Sequence, residues 1–281
     1  MMGKGNENII PKVIHYCWFG GNPLPEEAIK CIDSWKKYCP DYEIKQWNES
    51  NFDINLCDYT KEAYEAKKWA FVSDYARFWI LYNYGGLYFD TDVELINGIS
   101  DIVSRGSFMG AEAYAKGTNQ INAGVGLGAV AHSDFYKEVL DYYKELHFYI
   151  ADGVYNDETV VTYVTNIAKK YGYKGTDEIE KVGDIYVYPP YFFCPYNYEK
   201  DLLEVVEETR AIHWYSTSWK DEKEIEIHKK AMQIIKKSPN ALGKAKGKMY
   251  EVFAKTFYFL KKEGVKGFIM RVFRKLKRSK K

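Results

Sequence analysis

Cysteine is scarce in this sequence, and its arrangement excludes two common ways of stabilising a small fold. The 281 residues include five cysteines, an odd number with no Cys-x-x-Cys pair. Disulfide-stapled secreted domains need paired cysteines, and structural zinc sites need closely spaced ligands. We therefore expect neither a disulfide framework nor a zinc site, and we interpret all five side chains as reduced thiols.

Long apolar runs are also absent. No uninterrupted hydrophobic stretch approaches the ~20 residues that a membrane-spanning helix requires. Residues 1–8 lead into no apolar segment like that of a secretory signal. We therefore expect the protein to stay in the cytoplasm. Its length allows one substantial α/β domain with a sizeable core.

Neither sign of charge dominates the whole chain, but the two signs are separated along it. The formal net charge is +1, while residues 243–281 contain 14 Lys and Arg against two Glu. Residues 1–242 therefore carry a net charge of −11. This acidic balance, together with the absence of a nucleic-acid-binding motif, argues against a nucleic-acid partner.

The basic segment 243–281 also has an amphipathic pattern. Apolar side chains, several of them Phe, interleave with Lys and Arg as in helices that lie in a membrane interface. We predict a folded domain over residues 1–242 and a basic amphipathic helical tail over residues 243–281. The tail is expected to bind the anionic inner face of the plasma membrane, where each basic residue near the surface adds ~1 kcal/mol. A helix packed on the domain is the alternative.

Hydrophobic periodicity in the first part of the chain alternates between strands and helices. Short apolar or alternating runs predict strands, and helical spacing predicts helices. The predicted strands are 13–19, 42–47, 108–112 and 122–129, and the predicted helices are 25–35, about 61–83 and 135–148. This alternation implies an α/β fold with a mostly parallel central sheet.

The most informative segment is the helix predicted over 61–83, together with the strand expected to follow it. The helix places Asp74 and Arg77 three residues apart on one face. Two glycines, Gly85 and Gly86, then supply the flexible backbone that commonly ends a helix. If Asp74 and Arg77 form only an ordinary helical ion pair, it would add about 0.2–0.5 kcal/mol.

Asp90 and Asp92 form an Asp-x-Asp pair soon after these glycines. In extended backbone, residues two apart point to the same side, so both carboxylates would share one face of a strand. Mg²⁺ and Mn²⁺ suit such oxygens, because they are usually held by one or two carboxylates together with substrate phosphate oxygens. A polar turn without a metal is the alternative, since Asp is common in turns.

The order of these segments resembles glycosyltransferase family 32, the sugar transferases that carry a DXD motif. The matching segments are 70–78 and 84–92, and the likeness extends over 10–219, roughly three quarters of the chain. The glucosyltransferase domains of the large clostridial toxins share a distant form of this pattern. The resemblance implies a GT-A fold and the transfer of a hexose from a UDP- or GDP-sugar, with Mn²⁺ or Mg²⁺ as cofactor and with retention of configuration.

The resemblance also implies roles for residues of this sequence. His15 and Trp18, at the end of the first predicted strand, would bind the nucleoside of the donor. Asp74 and Arg77 would meet the donor sugar, whose hydroxyls favour charged hydrogen-bonding partners. Asn122 would contact the acceptor. The catalytic set predicted in this way is Asp74, Arg77, Asp90, Asp92 and Asn122.

A late segment resembles the closing motif of the family, in which a His-containing strand leads to Ser-Trp. Ile replaces the first of the two usual histidines, which leaves His213 as the only imidazole of the motif. His213 would complete a metal site with Asp90 and Asp92, while Ser218 and Trp219 would donate hydrogen bonds to the diphosphate. A buried aromatic strand end is the alternative.

The expected acceptor is a glycan or a lipid-linked sugar, in the synthesis of surface polysaccharide at the inner face of the membrane. Two other functions stay open. Phosphatases of the haloacid dehalogenase type also place Asp-x-Asp after a strand, but there the motif begins the domain, whereas about 90 residues precede it here. A non-catalytic, membrane-bound carbohydrate-recognition protein could keep the fold without the chemistry.

Overall fold

The protein consists of two compact units in a computed structural model. The model describes residues 9–113, 118–151, 154–156, 158–197, 202–216, 222–238 and 241–278. The first unit, here called the sheet unit, contains residues 1–146 and 157–216. The second, here called the tail unit, contains residues 147–156 and 217–281. The domain boundary predicted at 242/243 stays a prediction.

The described elements alternate between strands and helices along most of the chain. In chain order they are β1 (Val13–Cys17), α1 (Glu26–Tyr38), β2 (Glu43–Trp47), α2 (Asp58–Glu65), α3 (Trp69–Tyr84), β3 (Gly86–Tyr88), β4 (Val93–Leu95), α4 (Ser100–Arg105), β5 (Phe108–Glu112), β6 (Gln120–Ile121), β7 (Leu127–Ala129), α5 (Asp134–Lys144), β8 (Tyr149–Ala151), β9 (Val154–Tyr155), α6 (Val160–Lys170), β10 (Glu180–Val182), β11 (Ile185–Tyr188), α7 (Pro190–Phe193), β12 (Tyr196–Asn197), β13 (Leu202–Leu203), β14 (Ala211–His213), α8 (Glu222–Lys237) and α9 (Ala241–Arg278).

The central sheet of the sheet unit is mixed, so the prediction of a mostly parallel sheet is wrong. Its strand order is β10-β11-β5-β7-β3-β1-β2, with β6 paired to β5. Strand β1 runs parallel to β2 and β3, and β11 runs parallel to β5. Strand β7 lies antiparallel between β3 and β5. Periodicity reports which faces are buried but not the direction of a strand, so it could not reveal this reversal.

The helix predicted over 61–83 is two helices. Helix α2 ends at Glu65 and α3 begins at Trp69, with a left-handed residue, Lys67, between them at φ 56°. No glycine or proline marks this break in the sequence, so the hydrophobic periodicity predicted one continuous helix. The predicted end is confirmed, since α3 stops at Tyr84 and Gly85 adopts a φ of +65°.

The strand predicted over 122–129 is also shorter than expected. Only Leu127–Ala129 is extended, and the preceding residues form a turn. The Asn122 side chain explains the turn, because its Oδ1 accepts a hydrogen bond from the Gly124 backbone N–H at 2.8 Å. Side chains of this type compete with strand pairing by bonding to their own backbone.

One buried indole joins the first helix to the segment that follows the Asp pair. Trp35 of α1 is fully buried and packs against Tyr16 and Phe89. Its Nε1 donates a hydrogen bond to the Val93 carbonyl at 2.8 Å, at the start of β4. This contact fixes the position of β4 directly after Asp92.

The tail unit is built mainly from two helices. Helix α8 packs along α9, and β9 also contacts α9. Gly264 interrupts α9 with non-helical backbone at φ 69° and ψ 175°. In the described part of the chain, no helix is both long enough and apolar enough to span a membrane.

Trp35 should therefore be a major source of stability in the sheet unit. Trp35→Ala should lower the free energy of unfolding by about 3–5 kcal/mol, because it leaves a large cavity in the core. Trp35→Phe should cost only about 1–3 kcal/mol, because it fills much of the space but leaves the Val93 carbonyl unpaired. Denaturant unfolding followed by circular dichroism measures both. If Trp35→Ala has the same free energy of unfolding as the unchanged protein, the indole does not contribute to stability as we propose.

Candidate active site

The Asp90–Asp92 pair lies in a turn, so the prediction that it continues a strand is wrong. Strand β3 ends at Tyr88, and the Val93 backbone N–H donates to the Asp90 carbonyl at 3.0 Å across the turn. The Asp-x-Asp pattern did not distinguish the two structures, because carboxylates two residues apart occur in turns as well as in strands. The turn is held from the other side by Trp214, whose backbone N–H donates to the Asp92 carbonyl at 2.9 Å.

Arg77 is the centre of the cluster that the sequence predicted. Its side chain is only 3% exposed, and its Nη2 lies 3.0 Å from Asp74 Oδ1 and 3.2 Å from Asp90 Oδ1. Nη1 also donates to Asp90 Oδ2 at 3.2 Å. Two further bonds join Arg77 to Ser73, one from Nε to the carbonyl and one from Nη2 to the hydroxyl. The helical pair thus reaches across to the turn after β3.

Tyr88 and Gly124 complete the surroundings of Asp90. The Tyr88 hydroxyl donates to Asp90 Oδ1 at 3.0 Å, and the guanidinium of Arg77 lies over the Tyr88 ring at 5.0 Å from its centre. The Asp90 backbone N–H donates to the Gly124 carbonyl at 3.0 Å. A Cβ on Gly124 would come within 2.1 Å of Asp90 Oδ2, so a larger residue at this position would displace the carboxylate.

Asp92 is paired with residues from the end of the sheet unit. Strand β14 pairs antiparallel with β4, which sets His213 opposite Val93. His213 Nε2 then lies 3.3 Å from Asp92 Oδ1, while the Ser216 backbone N–H and hydroxyl donate to Asp92 Oδ2 at 2.8 and 2.9 Å. Burial disfavours the charge on Asp92, but His213 and Ser216 outweigh it and lower the pKa of Asp92 below its usual range.

The neighbouring Asp92 carboxylate favours the charged form of His213. Burial acts against the charged imidazole, but the neighbouring Asp92 carboxylate raises the pKa of His213 well above its usual value. A histidine side chain can bind a metal ion only when its imidazole is neutral. At the predicted metal site, a metal ion and a proton would therefore compete for the His213 ring.

Asn122 belongs to a hydrogen-bonded network beside the Asp pair. Its Nδ2 donates to Glu112 Oε2 at 2.8 Å, and the Tyr215 hydroxyl donates to the same oxygen at 3.1 Å. The Cys194 thiol lies 2.9 Å from the Tyr215 hydroxyl. Tyr215 also contacts the His213 ring, with the ring centres 4.2 Å apart. This network joins the Asn122 turn to the strand that carries His213.

His15 is not part of the cluster around Arg77. It is 2% exposed, its Nδ1 accepts from Trp47 Nε1 at 3.1 Å, and its Nε2 lies 3.1 Å from the Gly85 carbonyl. Burial lowers its pKa to about 4, so the ring is neutral. Trp18 Nε1 donates to the Asn22 carbonyl at 2.6 Å. The donor-binding roles of His15 and Trp18 stay predictions.

Ser218 and Trp219 lie outside the residues that the structure describes. Sequence reasoning missed Tyr88, Glu112, Tyr215 and Ser216, which contact the predicted residues. Ser216 was detectable in principle, because it belongs to the same closing motif as His213. Glu112 and Tyr215 carry no signal in the sequence, since their meeting depends on the pairing of distant strands.

The charges of the cluster suit a divalent cation. Three carboxylates, those of Asp74, Asp90 and Asp92, face two cationic groups, Arg77 and His213. Burial raises the pKa of both Asp74 and Asp90, although Arg77 partly offsets it. Within the described ranges, no group of three or more His, Cys, Asp or Glu side chains is placed so that it could hold a metal ion by itself. Two carboxylates nevertheless match the protein share of a Mg²⁺ or Mn²⁺ site that substrate phosphates complete.

Asp74 should give the metal-free protein a pH-dependent stability. Burial raises its pKa to about 7, from a usual value near 4. The folded state therefore keeps a proton that the unfolded state releases between these values, so the contribution of Asp74 to stability falls as the pH rises through this window. In EDTA, Asp74→Asn should be more stable than the unchanged protein above pH ~7, by on the order of 2–4 kcal/mol.

The difference in stability between the two proteins should shrink as the pH falls toward ~4 and below, because Asp74 then becomes protonated in the unfolded state as well. Thermal denaturation of both proteins across this range measures it, and the shared titration of other groups cancels in the difference. A difference that does not vary with pH would contradict the buried, charge-disfavoured position of Asp74.

Comparison with known sequences identifies the segment that contains this cluster. Residues 25–109 match the family described as "Glycosyltransferase sugar-binding region containing DXD motif". Inositol phosphoceramide mannosyltransferase 3 of Schizosaccharomyces pombe is 33% identical over 92 residues, 30% of this chain and 24% of that protein. Inositol phosphoceramide mannosyltransferase 1 of the same yeast is 27% identical over 116 residues, 37% of this chain and 35% of that protein. The chain thus spans about a quarter to a third of these relatives.

Solved glycosyltransferase structures overlap the chain in part. PaToxG glycosyltransferase gives a TM-score of 0.43 at 18% identity, over 58% of this chain and 70% of that one. The galactosyltransferase LgtC, in complex with donor and acceptor sugar analogs, gives 0.40 at 17% identity, over 73% of this chain and 87% of that one. At these scores the GT-A fold stays a prediction. The match over residues 25–109 supports the resemblance found in the sequence: this segment is similar to the DXD-containing sugar-binding region of glycosyltransferases.

Proposed function

We propose that this chain is a metal-dependent glycosyltransferase that moves a hexose from a UDP- or GDP-sugar to a glycan or lipid-linked acceptor. The observation that carries the proposal is the joining of Asp74 and Asp90 by buried Arg77, beside the Asp92–His213 pair. This cluster contains the DXD motif of the matched sugar-binding region. Hexosyl transfer is further supported by the relatives, which are named as mannosyltransferases.

Asp90 and Asp92 would hold the Mn²⁺ or Mg²⁺ ion together with donor phosphate oxygens. Asp92 is kept ionised by His213 and Ser216, while Asp90 is kept in place by Arg77 and Tyr88. The bound cation would supply Lewis-acid stabilisation of the negative charge that develops on the departing diphosphate. The chain contributes a binding pair that is oriented before the donor arrives, which lowers the cost of reorganisation.

Asp74 is the proposed contact for the donor sugar. Its Oδ1 faces Arg77, which leaves Oδ2 able to accept a hydrogen bond from a sugar hydroxyl. The donors of Arg77 are largely occupied by Ser73, Asp74 and Asp90. We therefore assign Arg77 mainly a positioning role, in which it sets the two carboxylates at a fixed separation.

Asn122 is the proposed contact for the acceptor. One hydrogen of its amide bonds to Glu112, and its carbonyl oxygen fixes the turn at Gly124. The second amide hydrogen can donate to an acceptor hydroxyl. Glu112 would hold the amide in the required orientation. Retention of configuration and a place in surface polysaccharide synthesis on the cytoplasmic side of the membrane complete the proposal.

The phosphatase alternative has less support. In phosphatases of the haloacid dehalogenase type the Asp-x-Asp motif begins the domain. Here about 90 residues precede Asp90, and the motif lies within the matched sugar-binding region, residues 25–109. Release of phosphate from simple monoesters would restore that alternative, and donor binding without any transfer or donor hydrolysis would favour a non-catalytic carbohydrate-recognition protein.

Asp92→Asn should abolish sugar transfer while the protein stays folded. The substitution removes a charge from the metal pair, so we expect the rate of metal-dependent donor hydrolysis or transfer to fall by at least about 10²–10³-fold. The assay is release of nucleotide diphosphate from a panel of UDP- and GDP-sugars with Mn²⁺, with a melting curve to confirm folding. Glu94→Gln is the matched control, because Glu94 lies in β4 and accepts from Trp214 Nε1 outside the cluster. Normal turnover by Asp92→Asn would contradict the proposed role of Asp92 in metal-dependent sugar transfer.

A further inference from the structure

In the tail unit, helix α9 has a second apolar face that its partner helix does not cover. Helix α9 packs along α8 and also contacts β9, and its Phe259 is buried. Other apolar residues of α9 are exposed, and two of them, Phe253 and Phe257, are 68% and 72% exposed. The exposed apolar residues of the helix are Leu242, Met249, Val252, Phe253, Phe257, Val265, Ile269 and Val272.

On each side of the break at Gly264, exposed apolar residues recur at the spacing of one helix face. Before the break, Leu242, Met249 and Phe253 are separated by seven and four residues, and Phe257 follows four residues later. We call this row the outward stripe. After the break, Val265, Ile269 and Val272 are separated by four and three residues. Single exposed apolar side chains are ordinary, but a row of them on one helix face marks an interaction surface.

The charge of the same segment indicates the chemistry of the partner. Exposed lysines along α9 include Lys246, Lys248, Lys261 and Lys266. The segment 243–281 has 14 basic residues and two acidic ones. Two copies of so basic a helix would repel each other along their length, whereas anionic headgroups would attract it. Lysine stems can also lie along an apolar surface while the ammonium reaches the headgroup level.

We propose that the outward stripe of α9 docks on an anionic lipid surface, with Phe253 and Phe257 entering the acyl boundary and the lysines at the headgroup phosphates. The helix would lie on the membrane, as amphipathic helices with a basic polar face do. This inference is independent of the proposed sugar transfer, because it concerns a different unit and a different partner.

Vesicle sedimentation of the full chain tests the proposal. The chain should bind phosphatidylcholine vesicles that contain phosphatidylglycerol, bind pure phosphatidylcholine weakly, and release as salt is raised. Replacing both phenylalanines, Phe253→Gln with Phe257→Gln, should lower the partition coefficient about tenfold or more. Replacing two lysines, Lys246→Gln with Lys248→Gln, should weaken binding about 30-fold on the anionic vesicles only, at ~1 kcal/mol per lysine.

The matched control is an exposed apolar pair in the sheet unit, Leu202→Gln with Val205→Gln, which should bind as the unchanged protein does. Circular dichroism checks that helix content is retained, as expected for side chains already in solvent. Absence of binding to anionic vesicles, or unchanged binding by the phenylalanine variant, would overturn the proposal. A dimer seen by light scattering that the phenylalanine variant dissociates, without vesicle binding, would overturn it in favour of a second copy of the chain.

Discussion

The candidate site depends on one buried guanidinium. Arg77, 3% exposed, lies between Asp74 on its own helix and Asp90 in the turn after β3. A buried charge is stable only when it is paired and hydrogen-bonded, and Arg77 satisfies this with two carboxylates and Ser73. The pairing fixes helix and turn to each other. It also brings two acidic side chains to a single guanidinium in a buried place, and burial raises the pKa of both Asp74 and Asp90.

The second half of the site comes from far along the chain. Pairing of β14 with β4 brings His213 and Ser216 to Asp92, more than 120 residues away in sequence. Trp35 holds β4 from the opposite side through the Val93 carbonyl. The two aspartates therefore experience different surroundings: Asp92 is stabilised as an anion, whereas burial raises the pKa of Asp90. Such unequal carboxylates are typical of functional sites, where pKa values are set by burial and specific partners.

The sequence predicted the parts of the site that local rules determine. Helical spacing placed Asp74 and Arg77 on one face, and Gly85 marked the end of their helix. The break between the two helices at Lys67 was not predicted, because no residue there signals a left-handed backbone. The antiparallel direction of β7 was not predicted either, since hydrophobic periodicity does not depend on strand direction. Glu112 and its bond to Asn122 follow only from the assembled sheet unit, so no local pattern could reveal them.

The most direct test of the account is whether a nucleotide diphosphate sugar and a divalent metal bind as one unit. A ligand that binds only the folded state raises the melting temperature by mass action. We predict that one class, either UDP- or GDP-sugars, raises the melting temperature of the full chain only when Mn²⁺ is present. No shift with any donor, or an equal shift in EDTA, would contradict a metal–diphosphate site at Asp90 and Asp92.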